Sequence, residues 1–323
     1  MKPTVFIPEP IADAGMNMLA EKATLVAPWR DGHKPNDNEL RSMLYTADAA
    51  IVRLFQVTRS DLEQPNQLKV IAKHGVGVDN IDVNAATENG IPVVYTPTAN
   101  ANAVAEHTVA LMMALARRIE PAAEAVKQGR FSDRTQFQGV ELAGKTLGVV
   151  GLGRIGARVA EIAAFGLAMN VIAYDPFVAQ LSSETPYTLA ESIEKLFGSA
   201  DFITFHVPLT ADTHHLIGES RIPLLKADCR IINTSRGAVI DEVALVSALQ
   251  DGRIAGAALD VFEKEPLPAD HPLCLAPNIL LTPHISSSTK ESLDTMAIDA
   301  VQGVLDVLEG KTPQFPFGTG ATS

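Results

Sequence analysis

Short apolar runs alternate with amphipathic stretches along almost the whole chain, which predicts an α/β protein of two doubly wound parallel-sheet domains. Three observations carry this. The alternation itself calls for strands joined by crossover helices. Two separate glycine turns, Gly75 with Gly77 and Gly151-Leu152-Gly153-Arg154-Ile155-Gly156, each stand just past the end of an apolar run. Titratable residues (Asp175, His206, Arg236, Asp260 and His284) follow later runs at their carboxyl ends. In a parallel sheet those ends share one edge, so the five groups are expected to line one crevice.

Residues 3–7 read as the first strand, and Ala12, Met16, Leu19 and Ala20 as the inner face of a helix. A strand at 24–27, a helix at 39–45 and strands at 49–52 and 69–72 follow. A short helix at 83–88 and a strand at 91–95 complete the first sheet. Asn100 and Asn102 are candidate caps for a long helix to Arg118, after which Pro121 interrupts. Met112 and Met113 on that helix are expected in the core. Strands at 147–150, 169–174, 202–206, 230–233, 255–259 and 278–281 form the second sheet. Helices are expected near 189–196, 221–225 and 243–249. Ser288-Thr289-Lys290-Glu291 reads as a capping box that opens the last helix, closed by Gly310. The Pro- and Gly-bearing tail 312–323 is expected to be mobile.

Composition narrows the function. The 323 residues are 46% hydrophobic and 20% charged, which suits a globular protein with a full core. A net charge of −12 argues against nucleic acid as a partner, because phosphate backbones demand clustered Lys and Arg. The two cysteines, Cys229 and Cys274, lack metal-ligand spacing and read as reduced thiols. The N-terminus has no secretory pattern and no apolar run is long enough for a membrane span, so a cytoplasmic location is expected.

The run 147–150, the glycine turn, and Ile155, Val159, Ile162 and Ala163 at helical spacing give strand, turn and helix in the context a dinucleotide site requires. Gly151 permits the tight turn, Gly153 admits a pyrophosphate to the backbone, and Gly156 lets helix pack on strand. Asp175 stands nineteen positions beyond Gly156 at the tip of the next strand. A carboxylate there accepts hydrogen bonds from ribose hydroxyls and repels a 2′-phosphate. Pro176-Phe177 supplies no compensating arginine, so NAD is favoured over NADP.

Hydride exchange between NAD and a 2-hydroxy acid asks three things of a protein. A cation must hold the carboxylate and polarise the carbonyl, a general acid/base must handle the hydroxyl proton, and a carboxylate should support that base. Arg236 suits the first role and His284 the second. Glu265 or Glu263 suits the third, and either would raise the histidine pKa. Spacing alone does not choose between them. Of the eight histidines, His33, His107 and His271 have no such context. Backbone N–H groups at Val76, Gly77 and Val78 can form an anion nest. Arg53, His74 and Arg134 are candidates to add positive charge for a second acidic group on the substrate.

The chain resembles the D-isomer-specific 2-hydroxyacid dehydrogenase family over essentially its whole length. The carrying motifs are Lys73-His74-Gly75-Val76-Gly77-Val78-Asp79-Asn80-Ile81-Asp82, the Gly151–Gly156 turn with Asp175, and His206-Val207-Pro208-Leu209-Thr210. The others are Asn233-Thr234-Ser235-Arg236-Gly237, Asp260-Val261-Phe262 with Glu265-Pro266, and Thr282-Pro283-His284. The resemblance implies a Rossmann NAD domain, residues 100–287, inserted into a flavodoxin-like substrate domain, residues 1–99 and 288–323, with hinges near Asn100 and Ser287. It implies Arg236 as substrate ligand, His284 as acid/base and Glu265 as its partner. It further implies that Arg154, Ile155, Val207, Pro208, Thr234 and Asp260 meet the cofactor, with Asp260 on the nicotinamide carboxamide.

Within the family the look is nearest to 3-phosphoglycerate dehydrogenases, in which Arg53 and Arg134 match positions that bind a distal phosphate. The length leaves no room for the regulatory C-terminal domains of longer members, so serine feedback through one is not expected. A glyoxylate/hydroxypyruvate reductase or sulfolactate-type dehydrogenase is the alternative, and an NAD(H)-sensing, corepressor-like binding protein is the competing class. The family implies a homodimer formed through the helix after Asn100 and the segment 131–142. The expected partner is a small anionic 2-hydroxy or 2-oxo acid.

Overall fold

The computed structural model describes residues 2–32 and 34–318; His33 and the tail beyond 318 lie outside the described residues. Two compact units are present. One comprises the chain up to Asn100 together with the segment from Ser288 on, and the other is Ala101–Ser287. Both are α/β, each built on a wholly parallel sheet.

In the first unit β1 (Thr4–Phe6), β2 (Thr24–Val26), β3 (Ala49–Val52), β4 (Val70–Lys73) and β5 (Val93–Val94) lie in the order β2-β1-β3-β4-β5, the flavodoxin-like order. Side chains alternate between the faces. Val5, Ile7 and Ile51 pack under the helices Asp13–Lys22 and Lys290–Leu308, while Phe6, Ala50 and Val52 join the opposite core. The two helices meet at Gly15, where an added Cβ would lie 2.8 Å from the Ala297 Cβ and carbonyl oxygen. That close approach is how the last helix of the chain becomes part of the first unit.

The second unit orders its strands β12-β11-β10-β9-β6-β7-β8. They are β6 (Thr146–Val150), β7 (Asn170–Tyr174), β8 (Thr188–Leu189), β9 (Phe202–Phe205), β10 (Arg230–Asn233), β11 (Gly256–Leu259) and β12 (Ile279–Leu281). The strand sequence runs outward in opposite directions from the β6–β9 pair, the Rossmann arrangement with one further strand. Leu147, Val149, Ile232 and Ala258 face the helix Ala101–Arg117 and its Leu111 and Met112. Val150, Ile231 and Ala257 face the other core with Phe205 and Leu245.

Several local expectations need correction. Pro121 does not end helical structure. The chain turns at Arg118 (φ 52°) and a second helix, Ile119–Lys127, carries Pro121 in its first turn, where a missing N–H is tolerated. Met113 is 42% exposed rather than in the core. The last helix is capped one residue later than a box on Ser288 requires. Thr289 is the N-cap, its hydroxyl accepts Ser292 N–H at 3.1 Å, and Glu291 sits in the first turn. The stretch 189–196 contains the end of a short edge strand and then a helix, Ile193–Ser199, capped by Ser192. Near 221–225 there is only one tight turn, Ile222–Leu224. Part of the tail is pinned. Tyr95 N–H donates to the Phe315 carbonyl (3.2 Å), Phe317 N–H donates to the Val93 carbonyl (2.8 Å), and the Tyr95 and Phe317 rings meet edge to face. Among the described residues no helix is long and apolar enough to cross a membrane.

Candidate active site

The glycine turn leaves β6 at the point where strand order reverses. Gly151 has φ +93°, and a Cβ on it would stand 2.5 Å from the His206 carbonyl oxygen on the loop after β9. A Cβ on Gly156 would stand 1.9 Å from the Gly151 carbonyl oxygen. Packing therefore demands glycine at both. Around Gly153 there is no heavy atom within 4 Å of an added Cβ, and it is the N-cap of the helix Arg154–Glu161. An open face at a helix N-terminus fits a pyrophosphate. The Asp175 carboxylate accepts Leu152 N–H (2.8 Å) and Phe177 N–H (2.9 Å), tying the tip of β7 to the turn. Burial pushes the His206 imidazole down to about 3, so it contributes no charge at neutral pH.

Arg236 is carried by a turn that Asn233 braces. The fully buried Asn233 amide donates to the Arg236 carbonyl (2.8 Å) and its oxygen accepts Ser235 N–H (3.0 Å) and O–H (2.8 Å). The guanidinium donates to the Ser235 carbonyl at 2.8 Å. Thr108 gives its hydroxyl proton to the Val104 carbonyl, so Thr234 donates in their 2.9 Å contact. Thr234 is thereby committed to the long helix and nearly buried, at 7% exposure.

His284 stands on the loop after β12 with φ 52°, a left-handed conformation that a non-glycine residue adopts at a cost. Its Nδ1 lies 2.7 Å from Glu265 Oε2, and Glu265 Oε1 accepts Phe262 N–H at 3.1 Å. Burial drives the Glu265 carboxyl up, but the hydrogen bond and charge of His284 and the Phe262 N–H outweigh it and hold the group below the usual range. A carboxylate only accepts, so Nδ1 carries the shared proton and Nε2 is the nitrogen left for chemistry. The geometry decides between the two glutamates: Glu263 instead contacts His215 Nε2 at 3.0 Å.

Asp260, just past β11, is fully buried. It accepts the Thr282 hydroxyl (2.6 Å), Ile285 N–H (2.9 Å) and Ser286 N–H (2.8 Å). Burial opposes its charge, but these donors and His107, whose Nε2 is 3.5 Å away, bring the carboxyl down to about 2. Asp260 thus bridges the two sides of His284. All five titratable groups follow strands of the seven-stranded sheet, at its carboxyl edge; of them His206 is held neutral and Asp260 has no solvent exposure. His107 and His271 carried no signal in the sequence. Their partners, Asp260 with Thr282 and Glu242, come from distant stretches of chain that only the fold brings near.

The candidates for a second anionic group divide between the units. In the first, Arg53 follows β3, its guanidinium donating to the Pro10 carbonyl at 2.9 Å. Glu9 occupies the backbone there, accepting N–H from Arg53 (2.7 Å), Leu54 (2.7 Å) and Phe55 (3.0 Å). His74 is 5% exposed with Nε2 unpartnered. Desolvation first, then the neighbouring charges of Arg53 and Lys73, lower its pKa to about 4. It is neutral at pH 7 and cannot supply the positive charge expected of it. Gly75 (φ +143°) is held by Thr96, whose hydroxyl accepts its N–H at 3.1 Å, and this sets the course of the backbone into Val76 and Gly77. In the second unit Arg134 lies in the turn Phe131–Phe137 and lines a small hollow with Ala122, Val126 and Phe131.

The fold and these contacts define a nucleotide-binding α/β chain with a buttressed histidine–carboxylate pair at the carboxyl edge of its seven-stranded sheet. Residues 109–286 match the family model described as D-isomer specific 2-hydroxyacid dehydrogenase, NAD binding domain. A D-3-phosphoglycerate dehydrogenase of Methanocaldococcus jannaschii is 48% identical over 276 residues, 84% of this chain and 52% of that protein. A glyoxylate reductase of Thermofilum pendens is 39% identical, covering 97% of this chain and 93% of that one. The crystal structure of the TT0316 protein from Thermus thermophilus superposes with a TM-score of 0.89 at 35% identity, covering 97% of this chain and 99% of that one. The chain belongs to the D-isomer specific 2-hydroxyacid dehydrogenase family. It spans about half the length of the D-3-phosphoglycerate dehydrogenases it matches.

Proposed function

We propose that the protein is an NAD-dependent D-2-hydroxyacid dehydrogenase, with Arg236, Glu265 and His284 as its catalytic residues. The observation that carries this reading is the 2.7 Å contact of His284 Nδ1 with the Glu265 carboxylate. Gly151, Gly153, Arg154, Ile155, Gly156 and Asp175 would hold the dinucleotide, with Val207 and Pro208 beside them. Bound NADH supplies the hydride when a 2-oxo acid is reduced. The Arg236 guanidinium holds the substrate carboxylate and draws electron density onto the carbonyl oxygen. His284 Nε2 delivers the proton to that oxygen as it becomes a hydroxyl, and takes it back in the oxidative direction. Glu265 keeps the ring in the tautomer that leaves Nε2 in that role. Thr234 and Asp260, which also brace the loops around the site, would line the cofactor, with Asp260 toward the nicotinamide carboxamide.

For the substrate we propose a 2-hydroxy acid with a second anionic group, 3-phosphoglycerate-like. The 48% identity to a D-3-phosphoglycerate dehydrogenase supports it. The near full-length match to a glyoxylate reductase favours glyoxylate or hydroxypyruvate as the second reading. We further propose a cytosolic homodimer formed on the face where Ile119, Val126 and Phe131 are 53%, 58% and 67% exposed. Light scattering on the purified protein tests the mass.

The test of function is NADH consumption with phosphohydroxypyruvate, hydroxypyruvate, glyoxylate, sulfopyruvate, oxaloacetate and pyruvate. Preference for a doubly anionic acid supports the first substrate reading, and preference for glyoxylate or hydroxypyruvate the second. His284→Gln is expected to lose about 10²–10⁴-fold in turnover while keeping NADH affinity. Full activity in that variant excludes His284 as the acid/base, and NADH binding without turnover of any acid points to a sensor.

A further inference from the structure

The segment Val261–Glu265 that presents Glu265 has no regular secondary structure, so contacts must set its shape. One is with the helix Glu242–Gln250. Glu242 Oε1 accepts Glu263 N–H at 2.9 Å, and Glu263 Oε1 accepts Glu242 N–H at 3.3 Å, a reciprocal pair. Each carboxylate has a histidine beside it. His215 Nε2 is 3.0 Å from Glu263 Oε1, and His271 Nε2 is 3.5 Å from Glu242 Oε2. His271 Nδ1 accepts Leu273 N–H at 3.4 Å, which leaves its Nε2–H directed at Glu242. Asp241 lies 3.9 Å from His215 Nδ1.

The bland account of Glu242 is helix capping. The helix is already capped, because Asp241 is its N-cap and accepts Ala244 N–H at 3.0 Å. Glu242 is nevertheless kept at 6% exposure, where burial first and then the charges of Glu263 and Glu265 push its carboxyl up. A buried carboxylate at a structural cost, with one oxygen on the backbone of the segment that carries Glu265, calls for a further role.

We propose that Glu242 and Glu263, flanked by His271 and His215, are positioning residues that clasp the Val261–Glu265 segment and thereby set Glu265 against His284, a role that rests on His284 as the proton donor proposed above. Two links run from clasp to ring. Glu263 N–H is fixed by Glu242, and the adjoining Phe262 N–H donates to Glu265 Oε1, whose partner oxygen meets His284 Nδ1.

The test uses the full chain as Glu242→Ala, Glu263→Ala and the conservative Glu242→Gln. Their kinetics are read beside the ring titration of His284 in ¹⁵N-histidine-labelled protein, its signal assigned by loss in His284→Gln. The alanine variants are expected to lose on the order of 10–100-fold in kcat, with KM for NADH unchanged and the His284 titration displaced. Glu242→Gln, whose amide oxygen still accepts Glu263 N–H, is expected to recover most of the rate. Folded alanine variants with wild-type kcat and an undisplaced titration would overturn the clasp. Glu263, with its side chain 36% exposed, gives a variant that leaves the buried position intact should Glu242→Ala fail to fold. If His284→Gln keeps full turnover, the acid/base reading fails. The titration in the alanine variants then still decides whether the clasp sets the Glu265–His284 contact.

Discussion

Replacing Asp260 by asparagine should unsettle the His284 loop. The carboxylate accepts Thr282 O–H and Ile285 N–H on Oδ1 and Ser286 N–H on Oδ2, in a position with no solvent exposure. An amide keeps one acceptor oxygen and turns an NH₂ toward the donors on the other side. Either Ser286 N–H, or Ile285 N–H together with the Thr282 hydroxyl, then loses its partner, at about 1–3 kcal/mol each. The depressed pKa, which these same donors cause, gives a figure of the same order. A carboxyl brought from 3.8 to about 2 in the folded state corresponds to about 2–3 kcal/mol of stability from the charged form. For a unit of this size about 2–3 kcal/mol amounts to a loss of about 4–12 °C in Tm.

The sign of the pH dependence follows. A folded pKa below the unfolded one stabilises fully above about pH 4 and is lost as pH falls through about 2. The deficit of Asp260→Asn should therefore be equal at pH 8 and pH 5. Differential scanning calorimetry at both pH values, with NADH turnover on the same samples, is the assay. Turnover should fall as well, because the φ 52° backbone of His284 loses the bridge that holds it. A variant with wild-type Tm and wild-type turnover would refute the bracing role, and a deficit that vanishes at pH 5 would refute its electrostatic origin.

Gly237→Ala places a Cβ 1.9 Å from the Phe262 carbonyl carbon and 2.1 Å from its oxygen. Backbone cannot yield as a side chain does, so a loss of at least about 1–3 kcal/mol is expected, with kcat/KM reduced because Arg236 and the Glu265 segment are pushed apart. Unchanged thermal unfolding and kinetics would show that the contact relaxes freely. For the cofactor, kcat/KM with NADH is expected to exceed that with NADPH on the order of 100-fold, since a 2′-phosphate beside the Asp175 carboxylate meets like charge. Asp175→Ala should narrow that ratio and raise KM for NADH, because Leu152 N–H loses its acceptor. Equal efficiency of the wild type with both cofactors would count against the role of Asp175.

Local patterns sufficed for the parts of this protein that depend on neighbours along the chain. Strand–turn–helix around Gly151 to Gly156, the acid at Asp175 and the apolar runs before Arg236, Asp260 and His284 are short-range signals. The fold class and the carboxyl edge follow from them, because parallel strands bring their ends to one side. Tertiary structure decided whatever depends on chain-distant contacts and on burial. Glu265 and Glu263 are two residues apart on one loop, and only packing turned the first to His284 and the second to His215 and Glu242. His74 looked like a cation by type, but desolvation at 5% exposure makes it neutral. Asp260 reads as a ligand at a strand end, and its second part, as acceptor for backbone donors more than twenty residues away, is visible only in the fold. A residue type states what a side chain can do in water; the donors, charges and solvent around it, assembled only by folding, decide its charge and its partner.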